Sequence, residues 1–360
     1  MNTHAAHLTM NPDFDEHERV VLLNEPAKGL AGVICIHSTA LGPAMGGCRL
    51  AAYASPHAAL SDALRLSQGM SYKNAMAGLA AGGGKAVLMA PDSNISRETF
   101  WFGFAEAVES LRGQYVTAED VGTTVADMEL VSERTRFVAG LPSRPDRAGG
   151  DPSPWTALGV FVALKSCLGR PLSGARIAVQ GLGAVGYKLC SRLHHAGARL
   201  IVSDADPLKM ARAVKDFGAH TASPDRIHSA SADAFSPNAL GGILNERTTA
   251  ELGSPVVCGG ANNQLASQED GQALSKRGVT YAPDYVVNAG GIISVAAEFH
   301  HEPAANVEKR VLAIGNRVAD LVERARLEDR PPGEVADEIA RDLIGRGPRR
   351  RRTGIARAFA

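Results

Sequence analysis

Residues 176–204 contain the feature that most narrows what this chain can fold into. A strand-like run, RIAVQG (Arg176–Gly181), leads into Gly181-Leu182-Gly183-Ala184-Val185-Gly186. A helical stretch follows to His195, and a second strand-like run, ARLIVS, ends at Asp204. Glycine-rich turns are common, so the GxGxxG spacing alone says little. With a strand before it, a helix after it and an acid 18 residues past Gly186, it meets the demands of a dinucleotide-binding βαβ unit. In such a unit Gly181 allows a tight turn and Gly183 lets the backbone approach a pyrophosphate. Gly186 lets helix and strand pack closely, and the helix start at Ala184 and Val185 faces the phosphates. Asp204 can accept hydrogen bonds from both adenosine ribose hydroxyls. Its charge opposes a 2′-phosphate, which points to NAD rather than NADP. The bland alternative is a structural turn followed by a surface aspartate.

Helix-like Pro207–Phe217 and strand-like Pro255–Gly259 extend this alternation. Apolar strands flanked by helices predict a parallel, doubly wound sheet. The first 140 or so residues mix short strands with helical stretches. VICIH (Val33–His37) and AVLM (Ala86–Met89) read as strands, and Ala58–Gly69 and Glu98–Leu111 as helices. Between the halves, Leu141–Pro154 is dense in Pro, Gly and charge, the composition of a hinge. The chain is therefore expected to be α/β with two domains. The boundaries are 1–148, 149–335 for the dinucleotide domain, and 336–360 for a terminal helix and the basic tail PRRRR (Pro348–Arg352).

Several classes of function recede on composition. Lys plus Arg equals Asp plus Glu at 38 each, so no nucleic acid or anionic membrane is expected as main partner. The basic tail reads as a solvated end. No long uninterrupted apolar run suggests a membrane span, and the polar first twenty residues do not resemble a secretory leader. Five scattered cysteines without a CxxC pair read as reduced core thiols in a cytoplasmic setting. No metal is expected, because the His194-His195 and His300-His301 pairs lack ligand spacing. Gly82-Gly83-Gly84-Lys85 is not a phosphate loop, since Leu79 and Ala86 stand where that pattern needs Gly and Ser or Thr.

Two lysines stand out by their neighbours. Lys73 follows Gly69-Met70-Ser71-Tyr72 and Lys85 follows three glycines, with no acid from Ser71 to Ala90. Two ammonium groups sharing an apolar cleft would lower each other's pKa, and desolvation acts in the same direction. One can then hold a carboxylate while the other serves as a neutral base. An ordinary solvated surface role is an equal alternative for each. Glu119-Asp120 follows QYVTA and precedes Gly122, which suits a carboxylate at a cleft or, equally, a helix cap.

A longer set of blocks resembles the Glu/Leu/Phe/Val dehydrogenase family. The blocks are GPAMGGCR (Gly42–Arg49), GMSYKNAMAGLAAGGGKAV (Gly69–Val87), TAEDVGTTVADM (Thr117–Met128) and PSPWTALGV (Pro152–Val160). QGLGAVG, GGANNQL (Gly259–Leu265) and YAPDYVVNAGG (Tyr281–Gly291) continue them. The matches run in order over roughly residues 30 to 300. They are closer to the leucine, phenylalanine and tryptophan members than to the longer glutamate enzymes.

The resemblance implies NAD-dependent, reversible deamination of an amino acid to a 2-oxo acid and ammonia. It implies a substrate-binding, oligomerising first domain and a homo-oligomer, from dimer to octamer. By matched position Lys73 binds the substrate carboxylate, Lys85 activates water and Asp120 shuttles protons. Gly46 and Gly47 line the substrate site, while Thr156, Asn262 and Asn288 sit near nicotinamide and substrate. The side-chain pocket is expected to include Met45, Ala118, Ile292 and Val295. That lining is apolar and lacks a cation for a second carboxylate, which argues against glutamate. Ala118 resembles the leucine type and Met45 the tryptophan type. Leucine, valine and isoleucine are preferred, with phenylalanine or tryptophan as the alternative. Asn238 departs from the family's usual cysteine near the cofactor. An NAD-binding regulator without chemistry is the non-enzymatic reading, which the presence of Lys73, Lys85 and Asp120 together disfavours.

Overall fold

A computed structural model describes residues 11–91, 95–142 and 148–346. The basic run Pro348–Arg352 and part of the hinge segment lie outside the described residues.

The first sheet holds β1 (Arg19–Glu25), β2 (Leu30–Ser38), β3 (Ala44–Met45), β4 (Cys48–Ala51), β5 (Gly82–Met89) and β6 (Tyr115–Val116). Its order is β1-β2-β5-β3-β6, with β4 also paired to β5. The β1–β2 and β2–β5 pairs are antiparallel and the others parallel. Successive side chains on a strand point to opposite faces, and β2 uses both. Val33 and Cys35 pack with Ala63 and Leu64 of the helix Pro56–Met76. Ile34 and Ile36 pack with Phe100, Trp101 and Phe104 of the helix Arg97–Ser110. On β5, Val87 joins the first group, and Ala86 and Leu88 the second. Lys85 shares the parity of Val87, so it faces the Pro56–Met76 helix.

That helix starts on a cap, the Ser55 hydroxyl accepting the Ala58 N–H at 3.2 Å, with Pro56 in its first turn. It runs on to Met76, well past the expected end at Gly69, and stops before Gly78 at φ +67°. Its extension is what carries Lys73 to the sheet.

The second sheet is wholly parallel, in the order β12-β11-β10-β7-β8-β9. Its strands are β7 (Arg176–Gln180), β8 (Arg199–Ser203), β9 (His220–Thr221), β10 (Ala234–Pro237), β11 (Val256–Val257) and β12 (Thr280–Tyr281). This is the doubly wound dinucleotide-binding order, with β7 and β10 flanking the switch point where ligands of such sheets bind. The helices Ala184–His195 and Pro207–Phe217 form as the sequence predicts. The strand expected over Pro255–Gly259 contracts to Val256–Val257, because Gly259 and Gly260 turn toward the switch point.

The chain passes between the two sheets twice. At the first passage Glu298, on the helix Gly290–Phe299, accepts the N–H groups of Gly140 and Leu141 at 3.1 and 2.9 Å. At the second, the terminal helix Pro332–Leu343 packs against Pro56–Met76. Arg341 donates to Asp15 Oδ2 at 2.8 Å and to the Tyr72 hydroxyl at 3.1 Å. Arg346 donates to the Asp15 carbonyl and to His37 Nε2, both at 2.7 Å. Among the described residues no helix is long and apolar enough to cross a membrane.

Candidate active site

A cavity of about 280 Å³ opens between the two sheets. Lys73 from the Pro56–Met76 helix and Lys85 from β5 both reach it, with Asp120 from the segment after β6. The three residues singled out from widely spaced motifs therefore share one chamber. Lys85 is only 6% exposed, and its Nζ lies 2.8 Å from Asp120 Oδ2. The absence of acids near Lys85 in sequence thus does not leave it unpaired. The acid arrives from another segment, which β4 holds beside β5: Cys48 pairs with Ala86 on one side and bridges Glu119 on the other. Asp120 has its backbone fixed by Thr123, whose hydroxyl accepts the Asp120 N–H at 2.8 Å. Burial alone would raise the Asp120 carboxyl, but Lys85 and then Arg49 outweigh it and hold it below the usual carboxylate range.

Lys73 is open to the cavity on one side and closely surrounded elsewhere. Loss of hydration brings it down to about 8, and the charge of Lys85 acts in the same direction. Asp284 and Asp120 oppose that shift. Burial is thus the main cause of the Lys73 shift, with the neighbouring Lys85 charge adding to it, and Lys85 is paired with Asp120.

The apolar wall comes from both halves of the chain. Ala118, Ile292 and Val295 line it as expected, joined by Leu66 and Met70. Met45 does not lie on this wall: it is buried on β3 among core residues that include Tyr72 and Val116. Gly47 borders the cavity, whereas Gly46 backs onto the Gly84 carbonyl. Charged residues to which the sequence reading gave no role also line the cavity, among them Arg65, Glu119, Arg49 and Asp284. Arg49 sits on β4, within the quoted GPAMGGCR block. Asp284 starts the short helix Asp284–Val287 and accepts the Asn263 N–H at 2.5 Å.

Asn262 lines the same cavity, and its Oδ1 accepts from Asn288 Nδ2 at 2.7 Å. Asn288 is buried behind it, its own Oδ1 without a hydrogen-bond partner among the described residues. Thr156 lies on the helix Ser153–Leu168, where its hydroxyl donates to the Pro152 carbonyl at 3.3 Å. Asn238 ties the end of β10 to the turn after β11, its Oδ1 accepting the Gly260 N–H at 2.9 Å.

The glycine turn has the form of a phosphate cradle. Gly181 adopts φ +87°, which favours glycine. A Cβ on Gly186 would fall 1.9 Å from the Gly181 carbonyl oxygen, so helix and strand meet there with no room to spare. A Cβ on Gly183 would meet nothing within 4 Å. That is the open space in front of a helix start with no side-chain cap. Val185 flanks the turn near Gly260. Asp204 accepts the Leu182 and Asp206 N–H groups at 2.6 and 2.9 Å, which fixes its carboxylate at the end of β8.

Comparison with known proteins bears on this arrangement. The family model for the Glu/Leu/Phe/Val dehydrogenase dimerisation domain matches residues 17–137, and that for Glutamate/Leucine/Phenylalanine/Valine dehydrogenase matches 205–311. Leucine dehydrogenase of Thermoactinomyces intermedius is 42% identical over 91% of this chain and 91% of its own.

The chain belongs to the Glu/Leu/Phe/Val dehydrogenase family.

Other relatives of this dehydrogenase act on other apolar amino acids by name. Valine dehydrogenase of Streptomyces virginiae is 42% identical, with 93% and 95% of the two chains covered. The crystal structure of L-tryptophan dehydrogenase from Nostoc punctiforme superposes with a TM-score of 0.82 at 37% identity, covering 96% of this chain and 98% of that one. The protein is an amino acid dehydrogenase, an oxidoreductase built on the two-domain α/β fold of its relatives.

Proposed function

We propose that this dehydrogenase converts an apolar L-amino acid to its 2-oxo acid and ammonia with NAD, reversibly. Leucine, valine and isoleucine are its preferred substrates. One observation carries the reading: two lysines and an aspartate meet an apolar wall of Ala118, Ile292 and Val295 in one cavity. Among the residues lining it, Lys73, Lys85, Arg49 and Arg65 are the cations. Lys85, Arg49 and Arg65 are engaged by Asp120 and Asp62. Lys73 is left for one carboxylate, which suits a monocarboxylic amino acid better than glutamate. Segment 1–148 would then bind substrate, and 149–335 would bind NAD on the glycine turn. Phenylalanine or tryptophan is the alternative substrate, favoured by the likeness to the Nostoc enzyme.

When bound, the nicotinamide accepts the hydride from the substrate Cα. The Lys73 ammonium holds the substrate carboxylate and orients Cα. Asp120 takes a proton from the amino group, leaving the nitrogen lone pair to form an iminium ion as hydride departs. Lys85 deprotonates a water, which attacks the iminium carbon. The 2.8 Å contact between Lys85 and Asp120 lets that proton pass on once Asp120 has given its own to the nitrogen. Asp120 then returns its proton to nitrogen, and the carbinolamine collapses, releasing ammonia as its hydroxyl gives up its proton to the Lys85–Asp120 pair and the carbonyl of the 2-oxo acid forms.

A screen of the proteinogenic amino acids with NAD and with NADP tests this. NADH should form fastest with leucine, valine or isoleucine, and NADP should be at least roughly tenfold less effective because Asp204 opposes a 2′-phosphate. Equal use of the two cofactors would remove the role given to Asp204. The pH dependence supplies a second check. Lys73 near 8 is charged below that pH and neutral above it. The KM for the amino acid should therefore climb as pH rises through about 8, approaching tenfold per unit. A KM flat from pH 7 to 10 would mean that Lys73 does not hold the carboxylate.

The five free cysteines support a reducing, cytoplasmic setting. A homo-oligomer, from dimer to octamer, is supported by the dimerisation-domain model over residues 17–137.

A further inference from the structure

Asp120 is approached from two sides, and only one of them is accounted for by Lys85. Arg49 Nε donates to Asp120 Oδ2 at 3.3 Å, the same oxygen that Lys85 Nζ contacts at 2.8 Å. Oδ1 receives no side-chain hydrogen bond among the described residues, and the Val121 backbone N–H is the further donor to this carboxylate. Arg49 is itself anchored on its outer side. Its second nitrogen, Nη1, donates to Asp62 Oδ2 at 2.9 Å. Asp62 is held in turn by the Tyr53 hydroxyl at 2.7 Å and by Arg65 at 2.9 Å. The Arg49 side chain is 23% exposed, those of Asp62 and Asp120 12% and 21%, so this chain of contacts runs beneath the rim of the cavity.

We infer that Arg49 is the positioning residue for the proton-shuttling carboxylate, clamping Asp120 Oδ2 so that Oδ1 faces the substrate amine. The inference rests on the proposed role of Asp120. A planar guanidinium suits this task because it can present Nε to one carboxylate and Nη1 to another in a fixed geometry. An aspartate held only by Lys85 would follow that lysine whenever it moves to meet water. A second, stationary donor on the same oxygen keeps the carboxylate in place while Lys85 exchanges its proton. Asp62, Tyr53 and Arg65 lock the guanidinium from the far side and complete the support. A misplacement of about an ångström at such a group can lower turnover on the order of a hundredfold.

The test compares Arg49→Ala, Arg49→Lys, Asp62→Asn and Asp120→Asn in the full-length enzyme, with leucine and NAD varied separately. Arg49→Ala should lose roughly ten- to a hundredfold in kcat with both KM values within about threefold of wild type, because Arg49 binds neither ligand. Arg49→Lys keeps the charge and loses the fork, and should recover part of that kcat. Asp62→Asn should move kcat in the same direction by a smaller factor. Guanidinium added below denaturing concentrations should raise the turnover of Arg49→Ala and leave Asp120→Asn unchanged. Wild-type kcat in Arg49→Ala overturns the inference, and so does a raised leucine KM at preserved kcat, which would make Arg49 a substrate-binding group. If Arg49→Ala fails to fold, Arg49→Lys and Asp62→Asn decide the matter by the same split. An active Asp120→Asn would instead overturn the function proposed for Asp120. An inactive Asp120→Asn beside fully active Arg49 and Asp62 variants would overturn this inference alone.

Discussion

Lys85→Ala should lower kcat about a thousandfold in both reaction directions while the protein stays folded. The size follows from what a positioned general base contributes, on the order of a hundred- to ten-thousandfold. Lys85 is 6% exposed, in contact with Asp120 and directed by strand parity into the cavity, so no other described side chain on β5 can substitute. The fold should tolerate the change, because Asp120 keeps Arg49 as a partner and the truncated side chain opens onto the cavity rather than the packed core. Lys73→Ala should behave differently. It removes a cation that holds the ground-state carboxylate, so the loss should appear mainly in KM for the amino acid. Steady-state kinetics on the two variants separate the roles. Turnover within about tenfold of wild type in Lys85→Ala would exclude this lysine as the base.

The glycine turn gives the second large effect, through a contrast between neighbours. Gly186→Ala places a Cβ 1.9 Å from the Gly181 carbonyl oxygen, a backbone atom that cannot rotate away. The Ala184–His195 helix must then move off β7, at an overpacking cost of about 1–3 kcal/mol. Gly183→Ala places its Cβ in open space. It should leave stability within about 0.5 kcal/mol of wild type. Both should weaken NADH binding by roughly tenfold or more, Gly186→Ala by moving the helix start and Gly183→Ala by filling the room a pyrophosphate needs. Thermal unfolding read beside NADH fluorescence distinguishes the two causes. A Gly183→Ala variant with unchanged NADH affinity would show that the cofactor lies elsewhere.

How far these features could be read in advance depended on how local their causes are. The βαβ unit from Arg176 to Asp204 was legible because a strand, a three-glycine turn and a helix are each set by neighbouring residues. VICIH likewise announced β2, its alternate residues serving two different helices. The reach of the Pro56–Met76 helix was not legible, since Gly69 looks like a stop. In the fold Gly69 faces open space, and the stop is Gly78, whose φ of +67° a side chain would oppose. Met45 was assigned to the pocket by matched family position alone, whereas on the two-residue strand β3 its side chain is buried among core residues. The meeting of Lys85 with Asp120 depends on β4 lying between β5 and the Glu119 segment, a non-local pairing that no window along the chain contains. Arg49 was within view in the GGCR block. Its role emerges only when that same pairing sets it against Asp120.

The double passage of the chain between the sheets has a mechanical consequence. One attachment is fastened by Glu298 at Gly140 and Leu141, the other by Arg341 and Arg346 at Asp15, Tyr72 and His37. Relative movement of the two halves must therefore bend the chain at these two passages or break the contacts that fasten them.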